Sequence, residues 1–494
     1  MPDATWVLGI SALYLVICLV LGVLPGRGAS ASTEGFVAGD RSLGLIVMYF
    51  ITGATIFSAF AFLGLPGWAY SRGASAFYIL GYGTLGFVPF YFLGPRASRV
   101  GRKLGFVTQA QMMATRFRSA PVAGVMAAVS LVAFVPYLAL QMKGAGFVLE
   151  TVSGGSIPTW VGAAVVYGVV LVYVLKSGVL GVGWTNTFQG LFMMLLAWGL
   201  GLYLPHVLYG GVGPMFEQIA ETRPELLLAP GLASGGVPWS FGEYGSAVIV
   251  SIVGFSVWPH LFMKAFTAKS EATLQRTVVL YPTFQIFLLP LLFIGFAGVH
   301  FASPPASADQ ILPHILMNSP IPASVVGLFC AGALAASMSS GDAMAHAAAA
   351  ICVRDGVVTA FGRTLEPARE RALIRFAVVG VMVVSYLVAV VYQGSLVILL
   401  LTAYGAVVQF APGVVAALYA PRAGRAGVLW GMVAGSLVTL VLVVWPELRP
   451  WSVHAGVYGL VVNVATLVAL SWGRAADARD EEFVATARGA TRAG

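Results

Sequence analysis

The sequence predicts an all-α protein that is embedded in a membrane, on three observations. Hydrophobic residues make up 59% of the 494 positions, and the mean hydropathy is +0.89. Charged residues make up only 9%, against about 25% in a soluble domain, so the chain could not cover a water-facing surface. Apolar runs of roughly 20 residues, the length at which a helix crosses a bilayer, recur along the whole chain.

These runs predict about thirteen transmembrane spans. They lie near residues 5–24, 46–70, 75–94, 121–147, 159–175, 187–208, 245–265, 277–300, 322–351, 373–392, 395–419, 427–445 and 453–472. No connection between them is long enough to form a domain of its own. We therefore expect a single polytopic transmembrane domain over residues 1–472 and a short charged cytoplasmic tail over residues 473–494.

The basic residues follow the predicted topology. With the N-terminus placed outside, all 27 Lys and Arg residues except Arg72, Lys143, Arg223 and Arg449 fall on the cytoplasmic side. This is the positive-inside rule, so the net charge of +8 does not indicate nucleic acid as a partner. We expect a multi-pass protein of the inner (cytoplasmic) membrane with its C-terminus in the cytoplasm. Its partners would be the lipid bilayer and a small molecule, and no obligatory protein partner is evident.

Two of the spans are interrupted. Span 2 contains Gly53, Gly64 and Pro66, and span 7 contains Gly254 and Pro259. Proline and glycine break the hydrogen bonding of a helix, and the freed backbone groups need partners inside a membrane. Broken helices at matching positions of two halves are typical of transporters with inverted repeats and a binding site near the midplane. Two unrelated kinked helices would be the alternative.

Span 9 carries a polar cluster in an otherwise apolar run. Ser339 and Asp342 lie three residues apart and share a helix face with Ala336, while Ser340 flanks that face. A carboxylate inside a membrane is costly and needs a reason. Hydroxyl, carbonyl and carboxylate oxygens suit a hard cation, and Na⁺ is the natural candidate for a site made of neutral oxygens. Alternatively, the serines bond back to their own helix and only join helices together.

Five segments in this order resemble the sodium:solute symporter family. They are "GLPGWAY", "GFVTQAQMMATRF", "VPYLALQMKGAG", "WPHLFMKAFTAKS" and "AASMSSGDAMA", and the resemblance covers about residues 40–420. Within the family, the chain looks most like the bacterial monocarboxylate transporters. The resemblance implies a leucine-transporter-type fold of two inverted five-helix repeats, spans 2–6 and 7–11. It also implies Na⁺ ligands that comprise the carbonyls of Ala54, Phe57 and Ala336 and the hydroxyls of Ser339 and Ser340.

The chain departs from the family at two positions where some members have aspartate. Ile56 lies in the break of span 2, and Asn186 ends a "WTN" motif in span 6. The loss of both carboxylates argues against a second tightly held cation, so we expect one Na⁺ per cycle. Asp342 and His346 can titrate and are our candidates for a role in coupling, which leaves proton coupling open.

In this architecture the solute lies beside the two broken helices, against spans 4 and 11. The candidate substrate-binding residues are Thr55, Ser58, Tyr137, Gln141, Lys143, Ser256, Trp258, Tyr404 and Gln409. The aromatic members could instead be interface anchors, and Gln409 could satisfy backbone groups near Pro412. Lys143 could pair with a substrate carboxylate or could extend to the outer headgroups.

The sequence contains no nucleophile–base pair, phosphate loop or metal motif, so it does not indicate an enzyme. We predict a secondary active transporter that works by alternating access. It would carry a small organic solute, most simply a short monocarboxylate, in symport with Na⁺. The alternatives are an H⁺- or Na⁺-coupled carrier of an amino acid, pantothenate or another small solute, and a sensor or channel of the same fold without coupled flux.

Overall fold

The protein is described by a computed structural model that covers residues 4–24, 32–233, 235–392 and 403–489. Apart from two isolated β-bridges, the regular elements of these ranges are all helical. In chain order they are α1 (Ala4–Val23), α2 (Thr33–Ala38), α3 (Leu45–Ile56), α4 (Leu65–Arg72), α5 (Phe77–Leu85), α6 (Val88–Leu104), α7 (Gln109–Phe117), α8 (Ala120–Val152), α9 (Thr159–Tyr209), α10 (Val212–Thr222), α11 (Phe241–Val257), α12 (Pro259–Phe262), α13 (Lys264–Thr267), α14 (Glu271–Gln285), α15 (Leu288–Ala297), α16 (Ile311–Asn318), α17 (Ala323–Ala350), α18 (Pro367–Val391), α19 (Phe410–Tyr419), α20 (Arg425–Val444), α21 (Ala455–Ser471) and α22 (Ala478–Arg488).

The number of about thirteen spans is not confirmed. In the described ranges, eight helical segments are long and apolar enough to cross a membrane, and nine if α11 and the bent segment after it count as one more. One reason is that α9 runs through two predicted spans, 159–175 and 187–208. Another is that Leu45–Ile56, Ala403–Tyr419 and Ala455–Ser471 are apolar but shorter than a full span. Part of the predicted span 395–419 lies outside the described residues.

Helix α17 forms the centre of the molecule. Almost all of it is buried, and it packs against α1, α8 and α9. Its many Ala, Gly and Ser residues allow other helices to come close. At Gly341 the approach is closest, since an added Cβ would overlap the hydroxyl of Tyr167. The polar residues of α17 are therefore enclosed by protein on all sides.

Helix α9 changes direction at Gly178, which has φ of +56°. This backbone conformation is open to glycine and strained for other residues. The bend brings Tyr173, before it, and Thr185, after it, to the same carboxylate of α17, that of Asp342. In a straight helix these two residues would lie about 18 Å apart. The bend thus places two parts of one long helix around one polar group.

The charged tail forms α22, which is bound to the basic connections of the membrane helices. Asp480 accepts a hydrogen bond of 2.6 Å from Arg116, and the two side chains are only 2% and 1% exposed. Asp477 caps the N-terminus of α22. The backbone N–H of Asp480 and the guanidinium of Arg118 both contact the Asp477 carboxyl group and lower its pKa. Lys103 pairs with Glu482 at the surface. The tail is therefore a docked helix.

Candidate ion and solute site

The break in span 2 lies between Ile56, where α3 ends, and Phe60. In a continuous helix, the N–H groups of Ser58 and Ala59 would donate to the carbonyls of Ala54 and Thr55. Here Ser58 donates instead to the carbonyl of Ile56 at 2.8 Å, and Ala59 donates to Oε1 of Gln141 at 2.8 Å. The break therefore frees two buried carbonyl oxygens, and both need other partners.

Two serines of α17 supply those partners. The hydroxyl of Ser339 lies 2.9 Å from the carbonyl oxygen of Ala54 and 3.2 Å from that of Ala336. The hydroxyl of Ser340 lies 2.6 Å from the carbonyl oxygen of Thr55. All five residues are fully buried. The structure thus brings together four of the five predicted Na⁺ ligands.

Phe57, the fifth predicted ligand, is the C-cap residue directly after α3, with φ of −74° and ψ of 75°. Among the described hydrogen bonds, none joins it to Ser339 or Ser340. The carbonyl of Thr55 takes part in the cluster, although the sequence suggested this residue only as a solute contact. The hydrogen-bond pattern of a helix, in which each N–H donates to the carbonyl four residues earlier, would have pointed to the Thr55 carbonyl. A break that frees the Ala54 carbonyl frees the next carbonyl as well.

The oxygen cluster has the chemistry of a site for a hard monovalent cation. Its members are neutral carbonyl and hydroxyl oxygens, without sulfur or ring nitrogen. A hydroxyl can rotate its hydrogen away and present lone pairs to a cation. Oxygen ligands of this kind suit Na⁺ better than a soft metal. Among the described residues, no group of three or more His, Cys, Asp or Glu side chains could hold another metal ion.

Asn186 connects the cluster to α9. Its Nδ2 donates to the carbonyl of Ser339 at 3.0 Å and to Oγ1 of Thr55 at 3.2 Å. Its Oδ1 is buried and has no hydrogen-bond partner in the described ranges. Asn186, at the position where the resemblance places an aspartate in some proteins, therefore contacts the oxygen cluster as a neutral group.

Asp342 lies one turn beyond Ser339 and is fully buried. Its Oδ2 accepts hydrogen bonds from the hydroxyl of Tyr173 at 2.7 Å and from that of Thr185 at 3.2 Å. Its Oδ1 is buried, with no hydrogen-bond partner among the described residues. The sequence did not indicate Tyr173 or Thr185, because nothing local connects them to α17. His346, one turn further, packs against Phe36 and lines a narrow cavity with Lys264.

Aromatic side chains surround the second broken helix. α11 and the segment Pro259–Thr267 meet at an angle of 46°, and Trp258 lies at the bend. Its ring centroid is 5.4 Å from that of Tyr137 and 5.6 Å from that of Tyr404. Tyr404 in turn lies 5.6 Å from Tyr82, which the sequence analysis had not selected. Three predicted solute contacts from spans 4, 7 and 11 thus form one aromatic cluster.

Several polar groups near the two breaks are buried without a hydrogen-bond partner in the described part of the chain. These are Nε2 of Gln141, the hydroxyl of Ser58 and Nε1 of Trp258. Thr55, by contrast, donates its hydroxyl to the carbonyl of Ile51. A buried polar group without a partner is costly, so such groups point to a ligand or water.

The other three predicted solute contacts lie in different surroundings. Ser256 donates to the carbonyl of Gly86 at 2.6 Å. Gln409 is held by Thr439, Gly456 and Asn463, which belong to or adjoin α20 and α21. Lys143 donates to the carbonyl of Tyr392 at 2.7 Å and is only 6% exposed, so its ammonium does not extend along the outside of the protein.

Together, the fold and the oxygen cluster define a membrane transporter that couples a solute to a cation. Residues 36–435 match the model of the sodium:solute symporter family, and the chain belongs to that family. Na⁺ is accordingly its coupling ion, and the protein is a multi-pass membrane transporter and not an enzyme. These three predictions are confirmed.

The chain is similar to the symporter YhjB of Bacillus subtilis (strain 168), with 28% identity over 475 residues that cover 92% of this chain and 95% of that protein. It is also 26% identical over 483 residues to the sodium/proline symporter of Staphylococcus aureus (strain NCTC 8325 / PS 47), which covers 93% and 90% of the two chains. Its structure resembles that of a Na⁺-coupled sialic acid symporter in a substrate-bound outward-open state. That match has a TM-score of 0.78 at 16% identity and covers 94% and 97% of the two chains. These relatives do not specify the monocarboxylate branch, which stays a prediction.

Proposed function

We propose that the protein takes up a small organic solute with one carboxylate group, most simply a short monocarboxylate, together with one Na⁺. The observation that carries this proposal is the contact between the serine hydroxyls of α17 and the carbonyls that the break of span 2 frees. A cation there would bind the two halves of the transporter at once. Binding of Na⁺ would therefore change how α3 and α17 pack, which is what coupling requires.

For the ion, we propose the oxygens of Ala54, Phe57, Ala336, Ser339 and Ser340 as ligands. Four of these residues already converge within hydrogen-bond distance. Asp342 lies two residues beyond Ser340 and would add negative potential without being a direct ligand. We propose that Asp342 acts in coupling through this potential and that His346, which lies one turn further along α17, acts in coupling as a second titratable group.

For the solute, we propose a site between the two breaks. Tyr137, Trp258 and Tyr404 would enclose it, and Nε2 of Gln141 and the hydroxyl of Ser58 would supply hydrogen bonds. Gln141 already joins this region to the ion site, because its Oε1 holds the N–H of Ala59. Thr55 would contribute to both sites. Ser256 and Gln409 would support the surrounding helices, and Lys143 would act nearer the entrance.

The relatives support a solute with a carboxylate. Proline and sialic acid, which appear in the names of two relatives, each carry one. A monoanion that moves with one Na⁺ transfers no net charge, so the Na⁺ concentration gradient would drive uptake. An amino acid is the second candidate, which the similarity to the sodium/proline symporter favours. We further propose that the single transmembrane domain lies in the inner membrane with its N-terminus outside.

Uptake into proteoliposomes tests this function. Labelled pyruvate, lactate, acetate and proline would be offered with an inward Na⁺ gradient, then with choline in place of Na⁺, and then with a pH gradient alone. We expect Na⁺-dependent uptake of at least one of the three monocarboxylates, unaffected by a K⁺ diffusion potential. Uptake of proline alone would replace the monocarboxylate by an amino acid. Uptake driven by the pH gradient but not by Na⁺ would overturn the proposed ion coupling.

A further inference from the structure

A cavity of about 420 Å³ lies beside the end of α4. Its polar lining includes Ser71, Arg72, Lys143, Asp309 and Gln310, and Trp68 forms an apolar wall. Lys143 lies 25 residues after Arg118, which is about 37 Å of helix, so the cavity and the docked tail are on opposite sides of the protein. The volume is within the range of small-ligand sites.

Two cations and one carboxylate line this cavity. The guanidinium of Arg72 lies 4.4 Å from the ring centroid of Trp68, which fixes its position at the wall. The ammonium of Lys143 donates to the carbonyl of Tyr392 and lies 5.4 Å from the ring centroid of Phe147 and 5.3 Å from that of Tyr392. Asp309 lines the same cavity, and its carboxylate attracts both the guanidinium of Arg72 and the ammonium of Lys143. The three groups together leave one excess positive charge.

The surroundings strengthen the effect of that charge. Lys143 is 6% exposed and Asp309 is 7% exposed, so solvent screens them less than it would screen surface residues. An excess of one sign of charge in a cleft with low-dielectric walls concentrates ions of the opposite sign. A single carboxylate that enters the cavity would balance the excess charge and would compete with Asp309 for the same two cations.

We propose that this cavity binds a small organic monoanion before it reaches the site between the breaks, with Arg72 and Lys143 as the groups that bind its carboxylate and Asp309 as the group that competes with it. This proposal rests on the proposed function in one respect, since the anion is taken to be the transported solute. Lys143 lies on α8, the helix that also carries Gln141, whose side chain accepts the N–H of Ala59 at the break.

The proposal is tested by removing the cations and the carboxylate of the cavity separately, because the two kinds of substitution should change the affinity for the anion in opposite directions. Binding of labelled pyruvate to the purified full-length protein would be measured in choline buffer without Na⁺. Arg72→Gln and Lys143→Met should each weaken binding about tenfold, because each removes one charge partner. Asp309→Asn should instead tighten binding by about fivefold, because it removes the competing charge. The uncharged amide of pyruvate should not compete with the label.

Matched variants separate this effect from misfolding. Arg223→Gln removes an exposed cation that pairs with Glu225, two residues further along the chain, and it should leave binding unchanged. Arg72→Lys and Lys143→Arg should keep most of the affinity, and all variants should show the melting temperature of the wild type. If Asp309→Asn weakened binding as Arg72→Gln does, or if the amide competed as well as pyruvate, the cavity would not be an anion site.

A further variant keeps this proposal separate from the proposed function. The double variant Ser339→Ala/Ser340→Ala should retain pyruvate binding in choline buffer while losing Na⁺-driven uptake. Na⁺-driven uptake that is unaffected by Arg72→Gln, Lys143→Met and Asp309→Asn would overturn the cavity proposal alone. Charge-dependent binding in the cavity without any Na⁺-driven uptake would overturn the transport function alone.

Discussion

The hydroxyl of Ser339 lies 2.9 Å from the carbonyl oxygen of Ala54, so α17 makes direct contact with the end of α3. This contact exists because the break leaves the carbonyl without its helical partner. We expect Ser339→Ala to raise the Na⁺ concentration for half-maximal uptake about tenfold, since one oxygen ligand is worth about 1.4 kcal/mol or more. The measurement is uptake against Na⁺ concentration at saturating solute.

Ser337→Ala is the matched control for that variant. Ser337 is fully buried on the same helix, but its hydroxyl donates to the carbonyl of Gln141 at 2.7 Å and not to α3. Ser337→Ala should leave the Na⁺ concentration for half-maximal uptake within about twofold of the wild-type value. Equal effects of the two substitutions would show that helix packing, and not ion binding, is what the serines provide.

Gln141 holds the break open by accepting the N–H of Ala59 at 2.8 Å. Gln141→Met keeps the length of the side chain but leaves that buried N–H without a partner, at a cost of about 1–3 kcal/mol. We expect solute uptake to fall about tenfold and the melting temperature to decrease. Gln189→Met is the control, because Gln189 is equally buried but contacts Tyr14 in α1. Its uptake should change less than that of Gln141→Met, and the reverse order would contradict this role.

The carboxyl group of Asp342 lies one turn from Ser339 on α17. Asp342→Asn keeps an acceptor for Tyr173 and Thr185 but removes the negative potential that we propose for the ion site. The half-maximal Na⁺ concentration should rise by about fivefold or more, because an opposite charge nearby stabilises the cation. Asp355→Asn, which changes a buried carboxylate bonded to Thr108, should not have this effect. An unchanged Na⁺ dependence in Asp342→Asn would remove Asp342 from ion coupling.

The docked tail depends on Asp480. Asp480→Ala leaves the buried guanidinium of Arg116 without its carboxylate, and breaking such a pair costs about 3–5 kcal/mol. We expect a lower melting temperature in detergent and faster hydrogen exchange in α22. Glu482→Gln alters only the exposed pair with Lys103 and should change the stability by less than about 1 kcal/mol. Similar melting temperatures for both variants would show that the tail adds no stability.

Much of the oxygen cluster could be predicted from the sequence, because local patterns mark its two segments and the family resemblance points to individual residues in them. The polar cluster of span 9 and the breakers of span 2 are visible as exceptions within apolar runs. The structure then brings Ala54, Ala336, Ser339 and Ser340 together. The bend at Trp258 likewise follows from Pro259, which cannot donate to the preceding turn.

The remaining features depend on which helices meet, and no local pattern encodes that choice. Gln409 faces Thr439 and Asn463 and not the broken helices, although its position in span 11 gave no sign of this. Asp309 lies in a polar connection, where one acidic residue looks like any other. The number of spans differs in part because α9 continues as one helix through two predicted spans and only changes direction between them, at Gly178.

The most direct test of the central claim is the entry of labelled Na⁺ into proteoliposomes with and without the transported solute. In the wild type, the solute should stimulate Na⁺ entry, with one Na⁺ for each solute molecule. The double variant Ser339→Ala/Ser340→Ala should lose this stimulation, while Ser337→Ala should keep it. Solute-stimulated Na⁺ entry that persists undiminished in the double variant would contradict the placement of the coupling ion between α3 and α17.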